Sequence, residues 1–195
     1  MFSGDDEEMN EAAKQEKEYT YEEWLELDNN EYIDLIDGIL YDHNTLYMRG
    51  EPSRRHMDIV RELTLEIGNF LRGKPCKLYT NPFMVKLNKK TVVHPDLSVI
   101  CDNNKFIDRG CMGAPDLVIE ILSPSNAGDD IFRKYNQYLM AGVKEYWIVD
   151  PLKNTVNVYI LQKGEYEVTL YKEKDIIPVT VLPDCEINLK VIFAK

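Results

Sequence analysis

Along most of the chain, apolar residues come in short runs or alternate with polar ones, and helical periodicity is confined to a few stretches. In "SRRHMDIVRELTLEIGNFLRG", Met57, Val60, Leu63, Leu65, Ile67 and Leu71 recur at helical spacing, with Ser53 as N-cap and Gly73 as stop, so an amphipathic helix is expected. "DDIFRKYNQYLMAG" has the same character, with Ile131, Tyr135 and Leu139 as its apolar stripe and Asp130, Lys134 and Tyr138 on an adjacent face. A shorter helix is expected at "TYEEWLEL", where Thr20 and Glu23 form a capping-box pair. "KLYT", "FMVKL", "LSVICD", "DLVIEIL", "YWIVD", "TVNVYIL" and "YEVTLY" read as strands. "YIDLIDGILYDH" reads as a hairpin turning at Asp37 and Gly38, and "TVNVYILQKGEYEVTLY" as one turning at Lys163 and Gly164. A helix between "DLVIEIL" and "YWIVD" is the crossover that parallel neighbours require. The pattern predicts an α/β architecture, a mixed β-sheet with helices packed on it.

Composition narrows this without overturning it. A chain of 195 residues with 44% hydrophobic content suits one globular domain, expected over residues 20–195. Residues 1–19 form an acidic tail, with Asp5, Asp6, Glu7, Glu8, Glu11, Glu16 and Glu18 against Lys14 and Lys17, for which a solvated, disordered segment is expected. The formal net charge of -11 argues against a broadly basic nucleic-acid surface but leaves room for phosphate binding through a local basic patch or a divalent cation. No run has membrane-spanning length and the N-terminus lacks the order of a signal peptide, so a cytoplasmic protein with no membrane partner is expected. Cys76, Cys101, Cys111 and Cys185 show no CxxC spacing and lie in or beside apolar runs, so reduced, buried thiols are expected.

One residue conflicts with its surroundings. In "PDLVIEILSPS", Glu120 sits among Leu117, Val118, Ile119, Ile121 and Leu122, a strand apolar on both faces. Taking an unpaired carboxylate out of water costs several kcal/mol, so Glu120 must be paired, hydrogen-bonded or bound to a metal. In "VVHPDLSVI", Asp96 opens another apolar strand. Were the two strands neighbours, these acids would repel unless a cation lay between them, and oxygen donors without a nearby His/Cys cluster favour Mg²⁺ or Mn²⁺ over zinc. The alternatives are a capped strand end for Asp96 and a structural ion pair for Glu120. Val118, Glu120 and Leu122 share one strand face, so the position two beyond the acid is leucine, not lysine. Lys134 on the following helix is the candidate replacement, the alternative being a surface pair of Asp130 with Lys134.

"YIDLIDGILY", "HPDLSVI", "GAPDLVIEILSPSN" and "RKYNQYLMAGVKEYWIVDP", with His56 on the long helix, resemble the Uma-type putative restriction endonucleases, small bacterial proteins of the PD-(D/E)XK nuclease superfamily. The likeness runs from about Tyr19 to about Leu189, leaving the acidic tail outside. It implies a restriction-endonuclease-like core with added β-hairpins, and a Mg²⁺-dependent (or Mn²⁺-dependent) endonuclease hydrolysing DNA. Asp96 and Glu120, with the Ile121 backbone carbonyl, would be metal ligands, and Lys134 the catalytic lysine displaced from strand to helix. Tyr138, His56 and Asp34 would support them, although relatives commonly carry Glu where this chain has the shorter Asp34.

Tyr146, Trp147, Ile148 and Val149 suit a core strand and Asp150 with Pro151 its exit turn, so "GVKEYWIVDP" is read as structural. "SPSN" suits either a phosphate cradle or an ordinary loop. His94-Pro95-Asp96 matches the tripeptide of J-domain co-chaperones, but that tripeptide lies in a loop between helices and this one leads into a strand. Two rival functions share the same residues: a catalytically silent binding or scaffolding protein of this fold, and a hydrolase of a smaller phosphate ester. The C-terminal hairpin and "PDCEINLKVIFAK" offer more apolar surface than one sheet requires, so a homodimer is expected.

Overall fold

The structure is a computed structural model describing residues 17–42, 53–122 and 129–194, with the side chains of residues 129 and 130 excluded. The tail through residue 16, the "SPSN" loop and the Asp130 side chain therefore lie outside the described residues.

Helix α1 (Tyr21–Leu25) has the predicted capping box: Thr20 Oγ1 accepts from the Glu23 amide and Glu23 accepts from the Thr20 amide. Strands β1 (Ile33–Ile36) and β2 (Ile39–Asp42) form the hairpin, whose turn residues Asp37 and Gly38 both take positive φ, 51° and 83°, as a two-residue turn matched to strand twist demands. Helix α2 (Arg54–Phe70) starts at Ser53, whose hydroxyl accepts from the His56 amide. Its inner face differs from the expected stripe. Met57 and Leu65 are exposed, at 53% and 48%, while His56, Ile59, Leu63 and Ile67 are buried. The spacing 56-59-63-67 is itself helical, so the apolar face of α2 delivers a histidine to its own N-terminal end.

The strands β3 (Lys77–Thr80), β4 (Met84–Asn88), β5 (Thr91–Val93), β6 (Leu97–Ile100), β7 (Phe106–Ile107), β8 (Gly110–Met112), β9 (Leu117–Ile121), β10 (Glu145–Asp150), β11 (Thr155–Gln162) and β12 (Glu165–Lys172) follow. They form two six-stranded sheets, ordered β2-β1-β5-β4-β8-β7 and β12-β11-β10-β9-β6-β3. The second is the central one. Its β9 and β10 are parallel and joined by helix α3 (Asp129–Ala141), as the crossover predicts, and β6 lies antiparallel on the other side of β9.

One face of the central sheet, with Leu97, Ile119 and Trp147, packs on Ile59, Leu63 and Ile67 of α2. The other, with Val118, Tyr146 and Ile148, packs on Tyr138 of α3 and on Ile36, Val85 and Val93 of the first sheet. The chain passes between the sheets at His94-Pro95-Asp96, from the end of β5 to the start of β6.

Strands β13 (Ile176–Pro178) and β14 (Glu186–Asn188) and helix α4 (Leu189–Ile192) close the α2 side of the core. Their Ile177, Ile187, Leu189 and Ile192, with Phe193, are buried there, so this part of the apolar surface that suggested a dimer is used within the chain, while Val168 and Leu170 of β12 and Val191 of α4 stay exposed. "GVKEYWIVDP" is structural as read: Tyr146 to Val149 are buried, and the Asp150 carboxylate accepts the Leu152 and Lys153 amides. The cysteines are a correction. Cys76 and Cys101 form a disulfide, and only Cys111 and Cys185 are free, buried thiols. Because β3 and β6 are antiparallel with Lys77 opposite Ile100, the residues just outside that pair meet although 25 positions apart. Spacing along a sequence carries no such register.

Candidate active site

Asp96 and Glu120 meet because β6 and β9 are neighbours. Leu97 is opposite Ile119, and the register continued by one residue sets Asp96 opposite Glu120 on the face that α3 covers. Asp96 reaches across the sheet: its Oδ2 accepts the Ile121 amide at 2.7 Å, tying the start of one strand to the end of the other. Its Oδ1 lies 3.3 Å from His56 Nε2, delivered by α2. The carboxylate keeps 18% of its side-chain surface open and forms the accessible rim of the cluster.

Glu120 lies deeper, at 8% exposure. Its Oε1 accepts from the Tyr138 hydroxyl at 2.7 Å and is 3.3 Å from Lys134 Nζ. Lys134 and Tyr138 are one helical turn apart on α3, and the helix turns this face, with Gln137, into the protein, while Ile131 and Tyr135 pack beside it only partly buried. A helix that buries Lys, Gln and Tyr in preference to its aliphatic residues is arranged around polar partners. At 4% exposure Lys134 is not a surface residue, and the Asp130 side chain of the alternative reading lies outside the described residues.

The third acid is Asp34, whose Oδ2 is 3.2 Å from Lys134 Nζ. Fully buried on β1, it has an Oδ1 that accepts the His94 amide at 2.9 Å and sits 2.9 Å from His94 Nδ1. The shorter side chain thus reaches the lysine because β1 pairs with β5 next to the His94 turn. His94, set aside at the sequence level, is the residue that orients Asp34. Its signal was adjacency to Asp96, which a tripeptide match to an unrelated motif concealed. Also unforeseen is the polar chain beside it, in which Gln137 accepts from Thr91 Oγ1 at 3.1 Å and donates to Asp37 Oδ2 at 2.7 Å, clamping α3 to the hairpin turn.

Electrostatics follow from this packing. Burial pulls the His56 pKa down, but the hydrogen bond and charge of Asp96, with the charge of Glu120, outweigh it and hold the imidazole above its usual value. Burial, reinforced by the Glu120 charge, drives the Tyr138 phenol well above its ordinary range, so it stays protonated and donates to Glu120. The lysine ammonium between Asp34 and Glu120 is the internal counter-charge that lets both acids remain buried. Among the described residues no group of three or more His, Cys, Asp or Glu side chains could hold a metal. Mg²⁺ commonly takes one or two protein carboxylates and completes its shell with water and substrate oxygens, whereas zinc sites use three or four protein ligands, mostly His and Cys. Asp96 and Glu120, at opposed positions of adjacent strands, offer the hard oxygen donors that such an ion takes.

The chain matches the family Uma2, described as "Putative restriction endonuclease", over residues 19–190. It is 25% identical over 162 residues to the uncharacterized protein slr1290 of Synechocystis sp., covering 82% of this chain and 80% of that one. Its fold is similar to the crystal structure of "a putative nuclease belonging to DUF820" from Anabaena variabilis, with a TM-score of 0.74 at 23% identity, covering 90% of this chain and 97% of the other. That likeness carries the mixed α/β fold expected from the sequence. With a family match running through every strand that bears Asp34, Asp96 and Glu120 and the helix that bears Lys134, this chain belongs to the Uma2 family of putative restriction endonucleases.

Proposed function

We propose that the protein is a divalent-metal-dependent endonuclease hydrolysing DNA phosphodiester bonds. The observation that carries the reading is the convergence of Asp96, Glu120 and the buried Lys134 from three separate elements, a charge cluster the hydrophobic core does not need. Asp96, Glu120 and the Ile121 carbonyl would hold Mg²⁺ or Mn²⁺. When bound, such an ion would supply Lewis-acid polarisation of the phosphate and lower the pKa of a bound water. The chain does the rest. Tyr138 fixes Glu120, the Ile121 amide and His56 fix Asp96, and Asp34, itself held by His94, aims the Lys134 ammonium at charge that develops on the phosphate oxygens.

The test is cleavage of supercoiled plasmid and labelled oligonucleotides in Mg²⁺, in Mn²⁺ and in chelator, with calorimetric titration of Mn²⁺ alongside. Metal-dependent cutting that Glu120→Gln abolishes is expected. Mn²⁺ binding without cutting would favour the silent scaffold, and turnover of a small phosphodiester that DNA does not compete with would favour the small-ester hydrolase. A parent protein that neither binds Mn²⁺ nor cuts would overturn the reading.

A further inference from the structure

We propose that the groove between the β1–β2 hairpin and helix α3 seats one unpaired nucleotide of the substrate strand beside the bond to be cleaved, with Arg133 on its phosphate and Asn136 on its base edge. This rests on the DNA-hydrolase reading above and adds which form of DNA is bound, and by which residues. The groove has a volume of about 420 Å³, and its walls are Ile36, Ile39, Leu139 and Met140. That size is typical of small-molecule sites, and apolar walls suit the two faces of a base.

Of its polar groups, Gln137 and Asp37 are paired with each other, and Arg133 and Asn136 are the ones left for a ligand. Arg133 lies over the Tyr41 ring at 4.5 Å. Its Nε is buried without a hydrogen-bond partner, and no carboxylate pairs with it among the described residues. Buried donors are nearly always satisfied, so an Nε without a partner marks a guanidinium that stacks on Tyr41 but meets no hydrogen-bond acceptor among the described residues, and its planar fork suits phosphate. Asn136, one helical turn before Met140, makes no side-chain hydrogen bond among the described residues and offers a donor and an acceptor to a base edge. Gln137 on the same wall is already spent on Thr91 and Asp37, so it shapes the groove and leaves reading to Asn136.

Position links groove and active site. Tyr41 is directly opposite Asp34 across the hairpin, and Arg133 precedes Lys134, so the Arg133–Tyr41 end of the groove abuts the Asp34–Lys134 pair. Consecutive helix residues diverge by about 100°, which sends Lys134 to Glu120 and Arg133 onto the hairpin. A strand crossing this fork meets both cations in succession. The groove is closed by a helix on one side and a hairpin on the other, and a base still paired to its complement has neither its Watson–Crick edge free for Asn136 nor its faces free for the groove walls; unpaired nucleotides are held by stacking plus a local cation, which requires no basic surface overall.

Fluorescence anisotropy of the full chain in EDTA, with labelled dT10 and with the dT10·dA10 duplex, reads binding independently of cleavage. The single strand should bind at least about tenfold more tightly than the duplex, and Arg133→Ala and Asn136→Ala should each weaken it by about three- to tenfold, the size expected for one phosphate or base contact. Their melting temperatures and Mn²⁺ affinities should match the parent. Variants that bind dT10 like the parent, or a duplex that binds as tightly as the single strand, overturn the proposal. If the parent cuts no DNA yet the variants lose dT10 binding, the groove stands and the hydrolase reading falls; if the parent cuts and the variants neither bind nor cut less well, the groove alone falls.

Discussion

Replacing Lys134 by methionine keeps the length and packing of the side chain and removes its charge. In the folded protein this leaves Asp34 Oδ2 and Glu120 Oε1, which now face the ammonium at 3.2 and 3.3 Å, without their shared counter-ion. Both carboxylates are at most one-tenth exposed, so water cannot take the lysine's place. Breaking a buried pair by deleting one partner costs about 3–5 kcal/mol, and the Tyr138 and His94 hydrogen bonds that remain keep the loss within that range. A chain of 195 residues has an unfolding entropy near 0.4 kcal/mol per kelvin, so the melting temperature in chelator should fall by about 7–12 °C. Glu120→Gln in the same background should recover much of the loss. Mn²⁺ should raise the melting temperature of Lys134→Met more than that of the parent, because a divalent ion restores cationic charge beside Glu120. The measurement is thermal unfolding by circular dichroism at pH 7.5 with EDTA or Mn²⁺. A Lys134→Met protein melting within 2 °C of the parent in EDTA would refute the counter-ion role, and with it the explanation of why Glu120 is tolerated in a core strand.

Tyr138→Phe removes a hydrogen bond to a charged acceptor and should lower stability by about 1.5–3 kcal/mol in urea titrations while reducing the cleavage rate; an unchanged midpoint would mean that Glu120 is held by other groups. Reducing the Cys76–Cys101 disulfide opens a loop of 25 residues and should cost about 3.5 kcal/mol, seen as a lower melting temperature with reductant in the parent and no effect of reductant in Cys76→Ser. The Asp116 carboxyl is penalised by burial but pulled below its usual value overall by Lys144, by the Cys101 amide and by Lys105. A depressed carboxyl contributes stability above its unfolded pKa and loses it as pH falls through the folded one, so the parent should outlast Asp116→Asn at pH 7, with the gap closing below about pH 3.9; a gap independent of pH would remove the charge from the account. In a Lys134→Ala background, Leu122→Lys should return part of the lost cleavage rate, since residue 122 continues the Glu120 face of β9; metal-bound but inactive double variants would show that the lysine must come from α3.

Periodicity of two and of 3.6 along the chain, together with the turn residues, was enough for the hairpins at Asp37-Gly38 and Lys163-Gly164, the capped helices and the parallel β9–α3–β10 unit, because each is decided by neighbours a few residues apart. It also exposed Glu120, since a carboxylate between isoleucines costs free energy wherever the strand lies. What the sequence alone could not decide is everything set by register between distant segments. That Asp96 stands opposite Glu120, that Cys76 meets Cys101, and that Asp34 reaches Lys134 from another sheet all depend on which strands became neighbours. The face that α2 buries, with His56 in place of Met57, was likewise chosen by the surface it packs against. Local preferences amount to tenths of a kcal/mol per residue, whereas burying a side chain or pairing a charge is worth several times more, so tertiary packing selects among the arrangements that local pattern leaves open.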